Sequence, residues 1–160
     1  MYICGSNYLM MVIRKLDKTE YSRAASFSIE IYLECGQEDF DEEGICTFKS
    51  FVNNEQLMDE LTIYGAFINE NLIGIIGTKL AGRHLSLFFI QKEYHRKGIG
   101  RLLFNQVLND YPVEEMTVNS STYAIKFYQS LGFDKTDKRQ ATDGITYTPM
   151  KYKPNGKKQR

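Results

Sequence analysis

The spacing of apolar side chains changes period several times along this chain, and each change marks an element. Met11-Val12-Ile13-Arg14-Lys15-Leu16 reads as a first strand. Asp17-Lys18-Thr19-Glu20 places an oxygen-bearing cap residue three positions before a glutamate, the arrangement that opens a helix. That helix is expected to run to about residue 35, with Gly36 as its left-handed stop. A second helix follows, with Ile45, Phe48 and Val52 on one stripe. From Leu61 the period shortens. Residues 61–69 and 72–80 are predicted strands around a hairpin turn at Asn69-Glu70-Asn71, and 84–90 is a strongly apolar strand. Its alternation predicts Leu85, Leu87 and Phe89 on one face, with His84, Ser86 and Phe88 on the other. A helix over 98–109 buries Ile99, Leu102, Leu103 and Val107. After Pro112 come a strand over 113–118 and a helix that Asn119 or Ser120 caps and Gly132 ends. Strands over 133–139 and 145–152 close the chain. The order is β-α-α-β-β-β-α-β-α-β-β, which predicts a mixed α/β domain with helices on both faces of a central sheet.

At 160 residues the chain has the length of one domain, and 42% hydrophobic residues suffice for a core. Residues 1–10 read as an N-terminal extension, 11–152 as the domain and 153–160 as a basic, flexible tail. Twenty Lys and Arg against 20 Asp and Glu give a net charge of zero, which argues against nucleic acid or an anionic membrane as partner. No apolar run approaches the roughly 18 residues of a membrane span, and the N-terminus has no secretory pattern. Cys4, Cys35 and Cys46 stand at unrelated spacings, so they are expected as reduced thiols of a cytoplasmic protein, with neither a disulfide framework nor a metal site.

The candidate chemistry begins where the strand over 84–90 meets Gln91-Lys92-Glu93-Tyr94-His95-Arg96-Lys97-Gly98-Ile99-Gly100-Arg101. A buried strand enters a glycine-bearing loop and then a helix, so free N–H groups at the helix start make a seat for an anion such as a diphosphate. Arg96, Lys97 and Arg101 add positive charge. The dinucleotide fingerprint fails because its third glycine position is Leu103, and the pattern Gly-x-x-x-x-Gly-Lys-Ser/Thr is absent.

What remains resembles the GNAT superfamily of N-acetyltransferases. Its Gln/Arg-x-x-Gly-x-Gly/Ala signature is matched by His95-Arg96-Lys97-Gly98-Ile99-Gly100, with His95 departing from the usual residue. A second signature is met by Asn119, Ala124, Phe127, Tyr128, Leu131, Gly132 and Phe133, and residues 144–150 are similar to the family's closing strand. The resemblance covers about 61–152 well, and 11–60 in element order only. It implies a GNAT-like, mostly antiparallel sheet with a splayed strand pair. It also implies acetyl transfer from acetyl-CoA, without a metal, to a primary amine of a small molecule or peptide, in a protein whose relatives often form homodimers.

By the same resemblance, His95, Arg96, Lys97, Gly98, Ile99, Gly100 and Arg101 hold the coenzyme, joined by Asn119 and by the Ile90 N–H. The Phe88 N–H polarises the thioester carbonyl, and Tyr128 protonates the departing thiolate. His84, on the face opposite the apolar side chains, is the candidate base, with an ordinary pKa near 6.5. The acidic stretch 34–43 reads either as a solvated loop or as a surface that attracts a cationic amine. The alternative function is a non-catalytic acyl-CoA-binding module, which has no need of a phenol at position 128.

Overall fold

The computed structural model describes residues 2–4 and 9–154, with side chains from residue 10 onward. The strands are β1 (Tyr2–Cys4), β2 (Leu9–Lys15), β3 (Thr62–Ile68), β4 (Asn71–Lys79), β5 (His84–Ile90), β6 (Met116–Ser120), β7 (Phe133–Lys135), β8 (Gln140–Thr142) and β9 (Ile145–Tyr152). The helices are α1 (Tyr21–Cys35), α2 (Glu42–Val52), α3 (Glu55–Asp59), α4 (Ile99–Asp110) and α5 (Ile125–Leu131). Of the proposed basic tail, residues 155–160 lie outside the described residues.

The strands form a sheet in the order β1-β2-β3-β4-β5-β6-β9-β7, and β8 pairs with β9 beside it. Every neighbouring pair is antiparallel except β5 and β6, which run parallel. One apolar layer, with Ile73, Ile76, Ile99, Leu103, Met116 and Phe133, packs beneath α4 and α5. The opposite layer, with Ala24, Ile31, Phe48, Ile63, Ile75 and Leu87, packs beneath α1 and α2. This is the mixed α/β architecture with helices on both faces that the element order predicts.

Several elements differ from the expectation for physical reasons. The first strand begins at Leu9, not Met11, and Tyr2–Cys4 pairs with it, so part of the segment 1–10 joins the sheet edge. Residues Asp17 to Glu20 do open the helical run: the Glu20 carboxylate accepts the Asp17 N–H at 2.8 Å and clasps Arg14 at 2.6 and 2.9 Å. Gly36 ends α1 at φ −102°, outside the left-handed region. It is required there for closeness, since a Cβ would stand 2.8 Å from the Phe40 ring. The hairpin turn holds, with Asn69 and Glu70 at φ 49° and 66°, the two positive values of a type I′ turn. The strand expected over 133–139 stops at Lys135, and a separate β8 follows.

A bulge overturns the expected alternation on β5. Gly77 pairs with Leu87 but Thr78 pairs with Leu85, so Ser86 is the extra residue. Leu85 therefore joins the α4–α5 layer with Phe88 and Ile90, while Leu87 and Phe89 face α1 and α2. Asn119 and Ser120 belong to β6 and cap nothing; the hydroxyl of Ser121 accepts the Ala124 N–H at 3.2 Å instead.

Candidate functional site

Parallel pairing of β5 with β6 covers only two positions, His84 with Thr117 and Leu85 with Val118. Beyond them the strands part, and β6 turns to β9. The Gln91 N–H donates to the Ile73 carbonyl on β4 at 2.9 Å. Strand alternation then directs the N–H groups of Phe89 and Leu87 towards β4, and those of Ile90 and Phe88 into the gap. The Ile90 carbonyl confirms the direction, because it accepts from His95 Nε2 at 2.7 Å on the side away from β4.

Below the gap the chain passes through a short 3-10 turn and reverses. Arg96 takes φ 62°, Gly98 takes φ 80°, and α4 begins at Ile99. No side chain caps this helix start, so its first N–H groups keep their hydrogen-bonding capacity. The two glycines serve different ends. Gly98 supplies the left-handed conformation, and the space beside its α-carbon is open for 4 Å. Gly100 allows close packing: a Cβ there would meet Phe127 at 2.6 Å and Ile90 at 3.2 Å.

His95 links the two sides of the gap. A carbonyl can only accept, so Nε2 carries the proton given to Ile90, and Nδ1 lies 3.1 Å from the hydroxyl of Tyr123 just ahead of α5. The side chain of Arg101 is committed elsewhere, donating to the Ser130 carbonyl at 2.9 Å. Lys97 lies over the Tyr94 ring at 5.6 Å, leaving Arg96 and Lys97 as the cations beside the helix start. Tyr128 is buried, its ring 6.1 Å from Phe88 and 5.2 Å from Phe133. Burial pushes its phenol above the ordinary tyrosine range, so it keeps its proton.

Two expected site residues stand apart from this group. His84 begins β5, four residues before Phe88, or about 13 Å along the strand. Its Nδ1 lies 2.8 Å from the Thr117 hydroxyl in the paired region at the start of β5, the end of the strand opposite the glycine turn. Burial first, and then Lys79, lower its pKa from the ordinary value. It lines a surface depression of about 400 Å³ with Lys79, Arg83 and Thr117, not the gap. Asn119 is exposed on β6 and alternates with buried Val118 and Ser120, so its side chain points away from the α4 layer.

The face of the gap towards α1 and α2 carries residues that no motif marked. Tyr32 is stacked between Phe40 (4.5 Å) and Phe48 (4.0 Å), and Phe89 of β5 meets it edge-on at 6.5 Å. The Tyr32 hydroxyl is enclosed without a hydrogen-bond partner among the described residues. Burial, then the charge of Asp39, pushes that phenol up to about 12. Asp39 is itself buried, whereas Glu34, Glu38, Asp41, Glu42 and Glu43 are exposed. No spacing rule separates it from its acidic neighbours. Aromatic residues at 32, 40, 48 and 89 were visible individually, but only the fold stacks them. Among the described residues no group of three or more His, Cys, Asp or Glu side chains gathers as a metal site, and no helix is long and apolar enough to cross a membrane.

The family model for the acetyltransferase (GNAT) domain matches residues 37–154. Solved structures share the fold. A GCN5-related N-acetyltransferase from Rhodopseudomonas palustris is 15% identical with a TM-score of 0.74, covering 93% of this chain and 99% of its own. The PaiA N-acetyltransferase of Thermoplasma acidophilum, solved in complex with coenzyme A, is 23% identical with a TM-score of 0.69, covering 91% and 99%. A GNAT-family acetyltransferase from Staphylococcus aureus is 16% identical at 0.69, covering 90% and 99%.

Proposed function

This chain belongs to the GNAT acetyltransferase family, and from that premise we propose that it transfers an acetyl group directly from acetyl-CoA to a primary amine of a small molecule or peptide. One observation carries the reading: β5 parts from β6 beyond Leu85 and then leads through the glycine turn into a helix start that no side chain caps. The N–H groups of Ile99, Gly100 and Arg101 offer donors, and the positive end of the α4 dipole, to a diphosphate. Open space beside Gly98 leaves room for that group, and Arg96 and Lys97 lie next to it. The Ile90 N–H is free to bind an amide of the pantetheine arm in the gap.

The Phe88 N–H faces the same gap and donates to the thioester carbonyl oxygen, where negative charge grows during attack. A fixed donor of this kind is worth on the order of 10²–10³ in rate. Tyr128 retains its proton through burial and gives it to the departing sulfur. The rings of Phe88, Phe127 and Tyr128 pack against one another here and give this point an apolar surround. The amine enters from the α1–α2 face, past Phe89 and Tyr32. His84, about four strand residues from the Phe88 amide, takes no part in deprotonating it; the amine enters in its neutral form, its proton left to solvent before it reaches the gap.

Calorimetry with coenzyme A and thiol release from acetyl-CoA across an amine panel test the proposal together. Binding with turnover of at least one amine is expected. Binding with no turnover anywhere would identify a non-catalytic acyl-CoA module, and no binding would remove both.

A further inference from the structure

The proposed chemistry leaves the buried carboxylate of Asp39 unused. At 4% exposure it needs partners to offset the cost of leaving water, and it has three donors. Oδ2 accepts the Thr122 N–H at 2.8 Å, and Oδ1 accepts the Thr122 hydroxyl at 2.5 Å and the Arg139 guanidinium at 3.2 Å. Its main-chain carbonyl accepts the Thr146 N–H at 2.7 Å. The neighbouring residues are tied down as well. Phe40 bridges to Ile145, the Asp41 N–H donates to the Gly144 carbonyl at 3.3 Å, and the Thr47 hydroxyl donates to the Asp143 carbonyl at 2.8 Å.

Three segments distant in sequence thus meet the strap over 37–44 at Asp39: its side chain holds the turn into α5 and Arg139 just ahead of β8, and its main-chain carbonyl holds Thr146 of β9. The strap carries Phe40, which stacks on Tyr32 in the wall towards α1 and α2. The turn leads through Ser121 and Ala124 into the helix that holds Tyr128. We infer that Asp39 is a positioning residue that fixes the strap against the start of α5 and thereby sets acceptor binding without touching the coenzyme. The acceptor half of this inference rests on the acetyltransferase reading; the mechanical half does not.

Hydrogen exchange on the ligand-free full chain tests the mechanical half. In Asp39→Ala, peptides over 37–44 and 121–127 are expected to exchange at least tenfold faster together, with 62–80 unchanged. Asp39→Asn, which keeps the shape and one acceptor oxygen, should show a smaller rise in both. Faster exchange in only one of the two segments, or throughout the chain, overturns the clamp. For the acceptor half, Asp39→Ala is expected to raise the acceptor KM at least tenfold while the calorimetric Kd for coenzyme A stays within twofold, and Asp39→Asn should restore part of the loss. Unchanged acceptor KM, or coenzyme affinity falling in step with it, overturns the inference. A parent enzyme that turns over no amine overturns the acetyltransferase reading and the acceptor half with it, while the exchange result still decides the clamp.

Discussion

Two buried phenols make opposite predictions. Removing the Tyr128 hydroxyl in Tyr128→Phe keeps the ring packed against Phe88 and Phe133 but takes away the proton proposed for the thiolate. Steady-state kinetics should show kcat lower by about 10²-fold or more, with KM for acetyl-CoA little changed; an unchanged kcat excludes the role. Tyr32→Phe removes an enclosed hydroxyl that has no hydrogen-bond partner among the described residues, so urea unfolding at neutral pH should show a gain of about 1 kcal/mol. The Tyr32 phenol, held up to about 12, lies above the unfolded value near 10. The phenol therefore adds no pH dependence below about pH 10, and stability is lost as pH rises from 10 towards 12, where the unfolded chain ionises first. The parent should lose stability over that window more steeply than Tyr32→Phe. The sequence alone distinguishes these residues unequally. Tyr128 belongs to a patterned helix, Ala124 to Leu131, whereas Tyr32 and Asp39 gain their meaning only from partners more than eighty residues away in the Asp39 case.

Elements are set by local chemistry where it is strong and by long-range pairing where it is not. The Arg14–Glu20 clasp is local and legible. Arg14 first, then the Asp17 N–H, hold the Glu20 carboxyl down to about 2. A folded pKa below the ordinary value near 4.5 stabilises the entry to α1 above about pH 4.5 and releases it as pH falls towards 2. A carboxyl-carbon NMR titration should find Glu20 among the most acidic glutamates; a midpoint near 4 would show the clasp absent in solution. At the glycine turn, Gly98→Ala forces a side chain into the left-handed region at a cost of about 1 kcal/mol, and its methyl enters the space left for the anion. Thermal unfolding should register a modest loss and calorimetry a larger one in coenzyme affinity. The β5 bulge shows the limit of pattern reading. Leu85, Ser86 and Leu87 alternate like any strand, and only pairing with Gly77 and Thr78 shows that one residue is extra. The cap reading of Asn119 failed similarly, because β9 extends β6 through Ser120 before the turn.

Across the whole molecule, the sheet performs one operation: it holds β5 against β4 and draws β6 away towards β9, so that main-chain donors remain unpaired in the middle of a packed domain. In the proposed reading the α4–α5 side receives the coenzyme, and the strap, held to β9 through the Asp39 carbonyl, closes the α1–α2 side. Element order and two signatures made the sheet and its family legible from about residue 61 onward, whereas the strap gave no local sign of its docking. The most direct test is a nitrogen-15 NMR titration with coenzyme A. The amides of Phe88, Ile90, Ile99 and Gly100 are expected to shift together and saturate, with those around His84 and Thr117 nearly still. No shift at millimolar coenzyme, or shifts centred on the His84 depression, would contradict the account.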